Sequence, residues 1–156
     1  MRTTRSTRTL AVTIAAAFAA VVPLTVAAGP AEAATPAIKI TKIYYDSPGA
    51  DTRSNTSLNA EYVVLKNTTS TNRTLTGWTL RDAANHIYRF PTSTLKAGAS
   101  VTIHTGKGTA SQTHRYYNAI NYVWNNTGDT AYLRNAAGTL VHKAVWTSVG
   151  TGVRYF

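Results

Sequence analysis

The stretch WNNTGDTAYLRN, Trp124 to Asn135, decides how this chain is read. Its first six residues hold an indole, two amides, a glycine and a carboxylate, and alternating residues follow. Three readings compete: a metal loop, an acid–base site, or a turn entering a strand. A calcium loop wants roughly six to eight oxygens, usually from several carboxylates. This stretch offers Asp129, flanked by Asn125 and Asn126, with no EF-hand spacing. The turn reading needs only residues that are present. Gly128 supplies a positive φ, Asp129 caps backbone N–H groups, and Trp124 packs against the edge of a sandwich. The stretch is read as a turn leading into a strand over Thr130 to Arg134.

Outward from that turn, the same strand signal recurs. Runs of β-branched and aromatic residues alternate with turn clusters, and no 3.6-residue periodicity is sustained after residue 33. The runs are Ile38–Thr41, Glu61–Lys66, Leu75–Arg81, His86–Phe90, Ser100–His104, Thr130–Arg134 and Thr139–Trp146. Between them, Asp82-Ala83-Ala84-Asn85 suits a tight hairpin, because Asp and Asn bond their own backbone and tolerate the left-handed region. Lys96-Ala97-Gly98-Ala99 and Asn135-Ala136-Ala137-Gly138 are turns of the same kind. About seven short strands, or slightly more, predict an all-β antiparallel sandwich with one face of most strands buried and one wet. Two longer loops stand out, Asp46 to Leu58 and Gly106 to Asn121.

The start of the chain reads as an address. Arg2, Arg5 and Arg8 precede an apolar, Ala-rich stretch from Leu10 to Ala28, and Ala31-Glu32-Ala33 follows as a small-x-small site. That order is the signature of a secretory signal peptide, with cleavage expected after Ala33. The expected organisation is therefore a leader over 1–33 and one domain over 34–156, with no membrane span after cleavage. The Arg/Thr/Ala-rich leader has a bacterial look. The whole chain carries 16 Lys+Arg and 6 Asp+Glu among 156 residues; losing three Arg and Glu32 leaves 13 against 5. Cysteine is absent, so no disulfide can support this small exported domain. Sequons at Asn55, Asn67, Asn72 and Asn125 are read as Thr-rich surface chemistry, not as glycan sites.

Six segments, in order, resemble a known family. They are NAEYVVLKN (59–67), LTGWTLRD (75–82), YRFP (88–91), LKAG (95–98), VTIHTGKG (101–108) and WNNTGDTAYLRN (124–135). Together they are similar to a bacterial lamin tail domain, from about Ile38 to Trp146. The resemblance implies an immunoglobulin-like β-sandwich. It also implies a module that contacts protein, chromatin or membrane, standing alone or beside exported hydrolases and nucleases. The hairpin after GWTLRD commonly carries glycine in that family. Here it reads Ala83-Ala84-Asn85, so the left-handed position falls to Asn85.

No catalytic, cofactor or metal residue is assigned. Glu61 lacks the second acid that two-carboxylate hydrolysis requires. Sharing a strand face with Val63 and Leu65, it is placed at the rim of the core, bonding backbone N–H groups or an Arg. Asp46, Asp51, Asn55 and Asn59, near Glu61 in sequence, form the best oxygen cluster for a calcium ion, but they are also ordinary loop composition. His86, His104, His114 and His142 fall on separate elements, with no HxH, HxxxH or HExxH spacing. His104 is expected to face solvent. Thr105-Gly106-Lys107-Gly108-Thr109 lacks the spacing and following helix of a phosphate loop. No GxSxG elbow or cysteine offers a nucleophile.

What remains is basic charge with aromatics. Lys39, Lys66, Arg81, Arg89, Arg134 and Lys143 lie on strands, mostly at wet-face parity. Arg115-Tyr116-Tyr117 and Tyr122-Val123-Trp124 mark the approach to the sixth strand. Such a surface favours anionic polymers such as teichoic acid, phospholipid headgroups or released DNA. The expectation is a secreted, monomeric, non-enzymatic binding or structural module without cofactors. Its partner is an anionic polymer or protein of the cell envelope, with nucleic-acid contact unspecific. The alternatives are a small secreted hydrolase or nuclease, and a self-associating envelope protein.

Overall fold

Hydrophobic alternation sets the strand positions, and one break in it shapes the first strand. The computed structural model describes residues 35–46, 48–147 and 151–156; the signal-peptide reading of residues 1–33 lies outside them. The first strand, β1 (Ile38–Tyr44), has isoleucines at 38, 40 and 43, so simple alternation would turn Ile43 outward. A register shift between Ile40 and Lys42 absorbs the extra residue. All three isoleucines are fully buried as a result. The bulge extends the strand beyond Thr41, where clean alternation stops.

The other elements follow in order. They are α1 (Asn55–Ala60), β2 (Tyr62–Asn67), β3 (Arg73–Thr74), β4 (Thr79–Arg81), β5 (Ile87–Arg89) and β6 (Thr94–Leu95). Then come β7 (Ser100–His104), β8 (His114–Tyr116), β9 (Gly128–Arg134), β10 (Leu140–Thr147) and β11 (Val153–Tyr155). One sheet has the order β11-β1-β2-β7-β8, the other β10-β9-β4-β5, and β3 pairs with β6. The expected all-β sandwich is present. Every pairing is antiparallel except that of β7 with β8, which is parallel.

All seven expected runs contain a strand, and the differences have local causes. Of Leu75–Arg81, only Thr79–Arg81 is a strand, because Gly77 at φ 76° turns the chain and Trp78 N–H closes on Leu75 O at 2.9 Å. The loop from Asp46 contains α1, whose Ser54 side chain accepts from Ser57 N–H. Six residues give no readable helical period and no independent stability; Leu58, buried against the domain, anchors the turn. The loop from Gly106 contains β8. Asn85, at φ 74°, takes the left-handed position of its hairpin.

Between the sheets, Ile38, Ile40, Val63, Leu65 and Ile103 face Leu80, Leu133 and Trp146 in one buried cluster. Leu75, Phe90 and Leu95 extend it at one end. Asn67 is fully buried among them. Its Nδ2 donates to the carbonyls of Thr71, Leu95 and Lys96 at 2.8–3.1 Å. Its Oδ1 accepts from Thr69 N–H and Oγ1–H. One amide thus ties the end of β2 to the β3–β6 ribbon. This corrects the reading of the four sequons as surface chemistry, since Asn67 is interior. The corresponding prediction is that Asn67→Ala leaves several buried groups unpaired and costs about 2–3 kcal/mol. Urea denaturation with an unchanged m-value measures it; a loss under about 0.5 kcal/mol, the range of an ordinary surface change, would contradict the assignment.

Candidate functional site

Glu61 and Asp129, the two acids weighed for acid–base chemistry, both bond backbone N–H groups, by different routes. Glu61 follows α1 and enters the core instead of stopping at its rim; it is 0% exposed. Its Oε1 accepts from Thr105 Oγ1–H at 2.5 Å, Val123 N–H at 2.8 Å and Trp124 N–H at 3.2 Å. Oε2, equally buried, has no hydrogen-bond partner. Loss of water around the carboxyl pushes its pKa from the ordinary 4.5 up to about 7, against the lowering effect of those three bonds. The expectation of backbone N–H partners holds. The rim position does not, because the segment 123–124 closes over the carboxyl.

Trp124 to Gly128 turns the chain into β9. Gly128 sits at φ 124°. Asp129 accepts from Asn125 N–H through Oδ2, and from Thr130 N–H and Ala83 N–H through Oδ1. It therefore joins its own turn to the β4–β5 hairpin. In that hairpin Asp82, also buried, accepts from His86 N–H and contacts His86 Nδ1, both at 2.6 Å. Trp124 is not an edge residue. It is 1% exposed and meets Trp146 edge-on at 5.9 Å. Tyr117 packs on the core beside it and donates to Leu80 O.

The proposed oxygen cluster is dispersed. Asn55 and Asn59 clamp Lys107: both Nδ2 groups donate to Lys107 O, and Asn55 Oδ1 accepts from Lys107 N–H. A Cβ on Gly106 would lie 2.7 Å from Asn55 Oδ1 and 2.6 Å from Asn59 Oδ1, so a larger residue there would push the clamp apart. The Gly-Lys-Gly segment is a turn held by this clamp. Asp46 pairs with Asn126 Nδ2, and Glu61 points into the core. Among the described residues, no three His, Cys, Asp or Glu side chains gather into a metal-sized group.

The model of the Lamin Tail Domain family matches residues 31–148, most of the chain. The chain belongs to the lamin tail domain family. No curated protein gives a significant match to it. The family supplies an immunoglobulin-like β-sandwich module, in accord with the sheets above.

In this lamin tail domain, aromatic and basic side chains line the outer face of the five-stranded sheet. Register aligns Val153, Tyr44, Tyr62, His104 and Tyr116 in one row across all five strands. The next row is Tyr155, Lys42, Val64, Thr102 and His114. Beyond the β1 bulge, Lys39 lies opposite Lys66. Neighbouring rings touch: Tyr44–Tyr62 at 5.6 Å, Tyr62–His104 at 5.7 Å, and His104–Tyr116 stacked at 5.2 Å. Lys42 Nζ donates to Tyr62 OH at 2.7 Å, which holds the ammonium above its ordinary pKa, and lies 5.1–5.6 Å from three tyrosine ring centres. None of the five strands contains an acid.

His104 lies on the outer face, opposite Val101 and Ile103 as expected, and is half-buried there by its neighbours. Its Nδ1 lies 2.7 Å from Asn59 O, and a carbonyl only accepts, so Nδ1 carries the proton. Nε2 then accepts from His114 Nδ1 at 3.0 Å. Burial holds His104 below the ordinary imidazole pKa; the Asn59 bond opposes this and His114 reinforces it. The parallel β7–β8 pairing brings together two histidines that the sequence places on separate elements. Sequence reasoning missed most of this face, although Lys39 and Lys66 were noted. The available signal was aromatic residues at wet parity, as in Tyr62-Val63-Val64.

The raised pKa of Glu61 gives a prediction with a definite sign. Its folded form holds a proton that the unfolded chain has released above pH 4.5. The stability it contributes is full below pH 4.5 and is lost as pH rises through about 7. Glu61→Gln removes that titration while keeping the shape. Between pH 4 and pH 8 the native chain should lose about 3 kcal/mol more than the variant, in paired urea denaturations. Equal losses in both would mean that folding leaves the Glu61 pKa at its ordinary value.

Proposed function

We propose that this lamin tail domain is a secreted, non-enzymatic binding module that contacts an anionic polymer of the cell envelope. The observation that carries the reading is the division of charge. Glu61, Asp82 and Asp129 are buried and bonded to backbone N–H groups, leaving Asp46 and Asp51 as the exposed carboxylates of the described residues. Basic side chains therefore dominate the surface, and a field of one sign attracts polyanions over a Debye length, about 8 Å at physiological salt. The same division argues against acid–base chemistry, since the carboxyl with the perturbed pKa is sealed from any substrate. The signal-peptide reading of residues 1–33 supports export.

The test is binding of the purified chain to an array of teichoic acid, duplex and single-stranded DNA, peptidoglycan and neutral glycans, at low and physiological salt. The expected result is retention on anionic polymers and none on neutral glycans. Equal retention on neutral glycans, or no binding to any polyanion, would remove the reading. Polymer hydrolysis during the assay would favour the enzyme alternative.

A further inference from the structure

We propose that the outer face of the β11-β1-β2-β7-β8 sheet is the docking surface, and that its ligand is a base-free polyol phosphate, a chain of phosphodiester-linked sugar alcohols. The inference rests on the reading of the module as a polyanion binder and names both the surface and the ligand chemistry.

Two observations place an anion on this face. The first is the pairing of Lys39 directly opposite Lys66. Like charges at facing strand positions destabilise a sheet. Both face outward from strands without any acid, so a bound anion is the partner that relieves them. The second is the Lys42 ammonium, held among Tyr44, Tyr62 and Tyr155. Rows of outward side chains recur about every 6.6 Å along the strands. That repeat lets Lys42 and the Lys39–Lys66 pair meet successive charges of an extended polymer.

Ring geometry selects the kind of polymer. Single-stranded nucleic acids are held chiefly by bases stacking on exposed aromatic faces. Here neighbouring rings occupy one another: His104 stacks on Tyr116 at 5.2 Å and is tied edge to edge to His114, and Tyr44 packs on Tyr62. The Tyr155 ring, 73% exposed, already has Lys42 over it. The polar groups on offer are phenol hydroxyls, ammonium groups and Nε2 of His114. These suit phosphate oxygens and sugar-alcohol hydroxyls, which accept and donate hydrogen bonds without needing a ring face.

The experiment compares binding of the full purified chain to poly(glycerol phosphate), single-stranded DNA and duplex DNA, matched in charge, at about 0.15 M salt, where weak surface attraction is largely screened. Poly(glycerol phosphate) is expected to bind roughly tenfold tighter than either DNA, about the value of one charge-assisted hydrogen bond. A Lys42→Ala/Lys66→Ala double variant should lose roughly tenfold, and Tyr62→Phe, which removes one hydroxyl, a few-fold. A charge-matched Lys96→Ala/Lys143→Ala double variant, away from this face, should lose under about twofold. Thermal unfolding of each variant confirms that it is folded. DNA binding as tightly as the polyol phosphate would overturn the ligand assignment. Equal losses in the two double variants would overturn the surface while leaving the wider reading in place. Absence of binding to all three polymers at low salt as well would remove both.

Discussion

Glu61 is the point on which the rest of this structure depends. A domain without disulfides must hold its long connections by packing and hydrogen bonds, and one buried carboxyl does much of that here. Through a single oxygen it grips Thr105 at the end of β7 and the backbone of Val123 and Trp124. Those partners lie 44, 62 and 63 residues away in sequence. By holding segment 123–124, the carboxyl also fixes where Trp124 enters the core and where the Asn125–Asp129 turn begins. Burying a polar group is favourable only when such partners satisfy it, and the raised pKa of Glu61 reflects the cost that desolvation still imposes.

The inward placement of acids has an outward consequence. Asp82 and Asp129 follow the same rule as Glu61, each satisfying backbone N–H groups at a turn. Carboxylates used this way no longer balance surface charge. The domain is thus basic outside partly because its acids serve as internal ties. On the five-stranded sheet this leaves a face of tyrosine, histidine and lysine, assembled by register across strands that are distant in the sequence.

Much of the fold was legible in the sequence. Alternation located a strand within every expected run, and the Ser100–His104 run coincides with β7. Asn85 at positive φ and Asp129 as a capping residue follow from turn chemistry. The short elements were illegible because two or three residues carry no period: β3, β6, β8 and β11 exist through their partners. Asn67 looked like surface Thr-rich composition, yet its neighbours in space, Leu95 and Lys96, make it interior. Trp124 was assigned to an edge because the burial of a residue just before a turn depends on what closes over it.

By itself, the sequence determined the all-β class, the sandwich, the family and the excess of basic residues, because side-chain alternation and turn residues act locally. Tertiary structure alone decided which polar residues are sealed in and which aromatics share a face. A strand residue's environment depends on the strand paired beside it and on the register of that pairing. In β1 a single bulge decides that Ile43 faces the core while Lys42 and Tyr44 face outward. The Tyr44–Tyr62–His104–Tyr116 row exists only once that bulge and the parallel addition of β8 are in place.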